Sequence, residues 1–319
     1  MTTTVEDLAG LHALADVHLP LTLTALDPIS HGAGTSGNTQ LLRVQDVLQP
    51  DGRRVSVPYV SGNSLRHTLR AALAWHLVRT IALPDKSLPK AVVDLLWSGG
   101  ALSETGNQVD LETARRVSAT LPALSLMGYS ARSDITAGTL WADNVHLVCQ
   151  ENRFRLPARL ADHPHADLPA GAMRGEAFGT RHDVRGSAVD RYIAMLADHG
   201  ETGMLGLNTA AAAEPATTQM IYDMQVIKPG AVLWTGLHLL TPTPGHIAAL
   251  AVAIDEAMPI VDGRRILALG GKRSTGYGSC AVEADLTGLG DLAALRAAYE
   301  AHLREHRDTI ITMLKDVVG

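Results

Sequence analysis

The chain has 319 residues, 46% hydrophobic and 19% charged, enough for a substantial buried core in one large domain or two ordinary ones. Its formal charge of −6 excludes a chain that is basic overall, although nucleic acid responds to a local cationic stripe and not to the sum. The two cysteines, Cys149 and Cys280, have no C-x-x-C spacing, which excludes a disulfide framework or zinc site and makes a reducing cytoplasm the expected location. The start MTTTVEDLAG lacks a signal-peptide pattern, and no apolar run reaches the roughly 18 residues of a membrane helix, so no membrane partner is expected.

In chain order, LTLTALDPIS (Leu21–Ser30) alternates with period two and breaks at Asp27-Pro28, which predicts a half-buried strand. A glycine loop follows, and NTQLLRVQDVLQ fits either a strand or a short helix. Asp51-Gly52 before VSVPYV predicts a hairpin turn. In SGNSLRHTLRAALAWHLVRTIA, Leu65, Leu69, Leu73 and Leu77 recur at helical spacing, with Asn63 or Ser64 as the expected cap. The segments LPKAVVDLLWSGG and LETARRVSATLPALSLMG extend a helical region, and Thr136–Gln150 reads as strand. Residues 155–220 change character, rich in Pro, His, Asp, Gly and Ala, and read as a large insertion with a short helix near RYIAMLADHG. Two strands around Pro229-Gly230, an amphipathic helix at HIAALAVAIDEAM, a glycine loop into a strand, and a helical end complete an α+β pattern.

Two glycine loops carry the chemistry. SHGAGTSGN contains G-x-G-x-x-G, but a dinucleotide site needs a strand running into the glycines and a helix out of them. Asp27-Pro28 interrupts that entry, and the Leu/Thr alternation suits an antiparallel sheet with one face covered. The second loop, GGKRSTGYG, lacks the glycine and hydroxyl spacing of a P-loop. Tight turns explain one or two glycines. Three or four mixed with Thr, Ser, Lys and Arg offer uncrowded backbone amides, hydroxyls and cations, which is what a phosphate chain requires. Asp162, His163, His165 and Asp167 form a weaker metal candidate, and Ser64 with His67 a weaker nucleophile–base pair.

Taken together these segments resemble the CRISPR RAMP proteins. VPYVSGNSLRHTLRAAL is similar to the family's P-x-x-S-G-x-S-L-[RK]-x-x-[LI]-R segment. LSLMGYSARSDITAGTLWADNVHLV resembles its L-F-G segment followed by a strand with a central Asp, here Asp143. MIYDMQVIKPGAVLWTGLHL resembles its V-I-x-x-G hairpin, and LGGKRSTGYGSC its G-x-[RK]-x-S-x-G-x-G loop. The four follow the family's order from about residue 20 to 285.

The resemblance implies an RRM-like (ferredoxin-like) antiparallel core over 15–65, 121–154 and 218–319, a helical insertion at 66–120 and a thumb-like insertion at 155–217. It implies a backbone subunit that stacks head to tail on a CRISPR guide RNA, with other effector subunits and a DNA or RNA target paired to the guide as further partners. It implies no cofactor. Ser30, His31, Gly32, Gly34, Thr35, Ser36 and Asn38 then match the loop along the guide backbone, with Arg43 nearby. Asn63, Ser64, Arg66 and Arg70 match a helix start that meets phosphate. Gly271, Lys272, Arg273, Ser274 and Thr275 match the glycine-rich loop, and Arg174, Arg181 and Arg185 add cations in the insertion. Target-cleaving relatives carry an aspartate after the His-Gly motif; here no carboxylate occurs until Asp46, so binding without cleavage is expected. An endoribonuclease acting through His31 or another acid–base group, and a dinucleotide-dependent oxidoreductase, are the alternative readings.

Overall fold

The computed structural model describes residues 8–100, 111–131, 134–181 and 220–318. Strand β1 (Val17–Ala25) buries Leu19, Leu21, Leu23 and Ala25 on one face and turns Thr22 and Thr24 to the other, as its alternation predicts. The ambiguous stretch after the glycine loop divides: β2 (Gly32–Ser36) and β3 (Thr39–Leu42) form one hairpin, and beyond Arg43 strand β4 (Val44–Leu48) forms a second with β5 (Arg54–Val60), around Asp51-Gly52.

Helix α1 (Gly62–Thr80) buries Leu65, Leu69, Leu73 and Leu77. Its cap is Ser61, not Asn63 or Ser64: the Ser61 hydroxyl accepts from the Ser64 amide. Helices α2 (Lys90–Ser98), α3 (Leu111–Thr120) and α4 (Pro122–Met127) follow, then the short strands β6 (Tyr129–Ala131), β7 (Asp134–Thr136), β8 (Leu140–Ala142) and β9 (Val145–Leu147). Between Gln150 and Met173 the chain runs through 3-10 turns folded over the sheet, where Leu160 and Ala166 are buried with Val148 and Val232. Strands β10 (Arg174–Arg181) and β11 (Met220–Ile227) pair antiparallel over their full length. Residues 182–219 lie outside the described residues, and with them Arg185, the short helix expected near 191–200 and most of the insertion expected at 155–217.

Beyond lie β12 (Val232–Leu239), α5 (Pro244–Ala257), β13 (Ile260–Val261), β14 (Arg264–Ala268), β15 (Ser279–Ala284), α6 (Leu292–Glu305) and α7 (Arg307–Val318). Among the described residues the main sheet has nine strands in the order β13-β14-β15-β1-β12-β9-β5-β4, with β8 also on β12. Numbering β1, β9, β12 and β15 first to fourth along the chain, their spatial order is fourth, first, third, second, and each adjacent pair is antiparallel. The fold is therefore a mixed α+β architecture with an antiparallel sheet and several helices. Helix α5 joins the third strand to the fourth. It is buried from Pro244 through Ile254 and not amphipathic, because α1, α4 and α6 enclose the sides that the sheet leaves. A second sheet has the order β10-β11-β3-β2. The two strands around Pro229-Gly230 exist but do not pair with each other: β11 joins this second sheet and β12 the first.

Candidate nucleic-acid interface

Because β1 lies beside β15, the loops at the same end of both strands meet. The Gly271 amide donates to the Ser30 carbonyl at 2.7 Å, and the Gly278 amide donates to the Pro28 carbonyl at 2.9 Å. Gly270 has φ +74, and a Cβ there would stand 2.3 Å from the Ser30 oxygen, so only glycine permits this approach. Lys272 takes a left-handed conformation (φ 57), Arg273–Thr275 form one 3-10 turn, and Gly276 (φ 83) returns the chain towards β15.

The other loop is a hairpin. Residues 33–38 are exposed along β2, the outer strand of the second sheet, and the turn passes through Gly37 with φ 59. The Thr39 hydroxyl donates to the Asp223 carboxylate at 2.7 Å and the Leu42 amide to Gln225 Oε1 at 3.2 Å, which fastens the hairpin to β11. The glycines lead into β3 and not into a helix, so the helix N-terminus that would receive a pyrophosphate does not follow them.

His31 is half-buried. Its Nε2 accepts from the Ser61 amide at 3.2 Å, and burial, then the charge of Arg43, lowers its pKa. Arg43 is exposed beside it. Arg273 reaches α1: its Nη2 donates to Thr68 Oγ1 at 2.6 Å and its Nε to the Gly270 carbonyl at 3.2 Å, and burial lowers its pKa. The Ser30–Gly271 bridge thus joins the root of the glycine hairpin to the Gly271–Thr275 loop, and Arg43 lies at that root, its amide donating to the His31 carbonyl at 2.7 Å.

The other expected cations are placed elsewhere. Arg66 donates to the Met127 carbonyl at 2.6 Å, and Arg70 donates to the Met127 and Gly128 carbonyls, both at 2.9 Å. Burial, then the charge of Arg66, pushes Arg70 down to about 10. These guanidiniums hold the end of α4. At the helix start, Asn63 is exposed, while the Gly62 amide donates to Asn144 Oδ1 at 2.9 Å. Arg174 donates to the Ser56 carbonyl at 2.6 Å, and Arg181 ends β10. Thr68, Ser61 and Asp223, absent from the sequence-based site, are the partners that fix the loops. Ser61 carries a signal, a serine directly before a helix, although Asn63 or Ser64 is the expected cap; the other two carry no sequence signal.

The fold has a known counterpart. It is similar to a chain of a solved Type IV-B CRISPR complex, with a TM-score of 0.54 over 85% of this chain and 91% of that one, at 16% identity. No family model matches the chain, and no curated protein matches its sequence.

The weaker candidates do not assemble. His163 Nδ1 accepts from the His165 amide, Asp167 pairs with Arg153, and among the described residues no group of three His, Cys, Asp or Glu is placed to hold a metal. Ser64 sits in the first turn of α1, its amide donating to the Ser61 hydroxyl, and no hydrogen bond joins its own hydroxyl to His67. Burial first raises both cysteine thiols to about 12, leaving them unreactive. Among the described residues no helix is long and apolar enough to cross a membrane.

Proposed function

We propose that this chain is a guide-RNA-binding subunit of a CRISPR effector complex, gripping the RNA backbone along β2 and the Gly271–Thr275 loop without cutting it. The observation that carries the reading is the Ser30–Gly271 bridge, which sets two exposed loops rich in glycine, hydroxyls and cations side by side. Such a surface meets phosphates through amides, hydroxyls and charge, and contributes affinity and register but no base identity. The guide's bases then stay available to pair with a target.

The fourth-first-third-second strand order supports an RRM-like core, and the likeness to the Type IV-B chain supports membership of such an assembly. The β10–β11 pair leaves the same sheet as the glycine hairpin, and we read it as the base of a thumb that reaches along the guide between copies stacked head to tail.

Two features favour binding over cleavage. Asp46, the nearest carboxylate after His31, lies in the β4–β5 hairpin, where it accepts from the Ser56 hydroxyl at 2.7 Å. The His31 Nε2 lone pair is occupied by the Ser61 amide, so that nitrogen is not available as a base.

The test is to co-express the chain with its repeat RNA, purify it and measure the 260/280 nm ratio at rising salt. The expected result is bound RNA released steeply by salt, as counterion release requires. Changing Lys272 and Arg273 together to Glu is expected to abolish retention; a folded double variant that keeps its RNA overturns the loop assignment. Product from labelled repeat RNA overturns the non-cutting part.

A further inference from the structure

Near the start of β1, on the face turned away from the buried leucines, three rings line up across three strands. His18 on β1 lies opposite His238 on β12, and His238 lies opposite Trp141 on β8. Paired residues share a face. The indole is 61% exposed, and Asp143, two residues along on the same face, is 57% exposed. His238 Nε2 is 2.8 Å from Asp143 Oδ2, and its Nδ1 is 2.8 Å from His18 Nδ1. Gly236 leaves room for this arrangement, since a Cβ there would stand 2.7 Å from His238 Nε2 and 2.8 Å from Asp143 Oδ2.

A carboxylate only accepts, so His238 donates to Asp143 from Nε2. One proton lies between the facing Nδ1 atoms of His18 and His238. The patch therefore offers an aromatic face bordered by an acceptor, the outer oxygen of Asp143.

We propose that this patch binds an unpaired nucleobase carrying an exocyclic amino group, stacked on Trp141 and donating to Asp143. Stacking on an exposed indole is open to every base. The carboxylate discriminates: adenine, cytosine and guanine each carry an exocyclic amino group, whereas uracil carries none, and neither does thymine. The carboxylate also repels phosphates, so the base edge and not the backbone turns to the patch. The inference rests on the reading that the chain binds RNA, but it uses residues outside the two glycine loops.

The experiment measures binding of rA, rC and rU dodecamers to the full-length chain by fluorescence anisotropy. The expected result is several-fold tighter binding of rA and rC than of rU. Trp141→Ala is expected to weaken rA and rC about tenfold, the scale of one lost stack, with an unchanged melting temperature because the indole is exposed. Asp143→Asn, which replaces an obligate acceptor by a group that also donates, is expected to erase the preference. Equal affinity for all three oligomers in the unaltered chain, or unaltered binding by both variants, overturns the proposal while leaving the glycine loops intact. An unaltered chain that binds no oligomer overturns the RNA reading itself.

Discussion

The bond from the Gly271 amide to the Ser30 carbonyl joins the turn that leaves β1 to the turn that enters β15. It exists because Ala25 and Cys280 are register partners in the sheet, so both strands end at the same edge. Ser30 itself is 2% exposed, which places the junction beneath the surface and the flanking hydroxyls and cations above it. The candidate interface is thus a product of strand order, built on a rigid floor.

Gly270→Ala tests that floor. The substitution demands a left-handed alanine and drives its methyl against the Ser30 carbonyl. Backbone strain alone costs about 1–3 kcal/mol. Thermal unfolding is expected to show a drop of several degrees, and the surviving folded fraction to retain less RNA. Unchanged melting and retention would show that the loop relaxes without consequence.

Thr39→Val removes the hydroxyl that fastens the glycine hairpin to Asp223. Only Thr39 and Met224's partner Gln40 are in register with β11, so few other bonds hold the hairpin there. Hydrogen exchange is expected to quicken over residues 32–42, with global stability lowered by no more than about 1–2 kcal/mol. Equal protection in the variant would mean that β3 pairing alone suffices.

Arg70→Met separates structure from binding. The guanidinium donates to the last carbonyls of α4, and its loss leaves two buried acceptors with fewer partners, at about 2–3 kcal/mol. RNA affinity of the folded variant is expected to stay within twofold. A large loss of affinity at unchanged stability would return Arg70 to the phosphate-contacting set.

Much of this architecture was legible because it is local. The Leu65–Leu77 stripe, the β1 alternation and the Asp51-Gly52 turn each declare themselves within a few residues. The glycine loops were legible as tight turns too, since Gly37, Gly270 and Gly276 take the positive φ that such turns need. What failed was longer-range. Arg66 and Arg70 sit near a helix start, and nothing in their spacing shows that Met127 and Gly128 bring carbonyls to them. Likewise the strands around Pro229-Gly230 alternate as a hairpin would, and only the competing partners, β10 and β3 for one and β1, β8 and β9 for the other, separate them.

Acid sensitivity gives the last test, and it centres on His246. Its Nδ1 accepts from the Thr243 amide while the Thr243 hydroxyl accepts from the His246 amide, a reciprocal cap at the start of α5. Its Nε2 therefore carries the proton and faces Ser125 Oγ at 2.8 Å. Burial pushes its pKa down to about 4, and burial, then the charge of Arg155, pushes His146 down to about 4 as well. A histidine depressed in the folded state is neutral there, while the unfolded chain takes up its proton near the ordinary value. Stability is thus fully present above about pH 6.5 and is lost as pH falls from there to about 4, on the order of 3 kcal/mol for His246. His246→Gln keeps an acceptor for the Thr243 amide but cannot titrate. Urea unfolding at pH 7 and pH 4.5 is expected to show a large loss in the unaltered chain and a visibly smaller one in the variant, the remainder coming from His146 and the other histidines that burial depresses, His31, His165 and His302. An identical loss in both would mean that protonation at His246 does not break the cap.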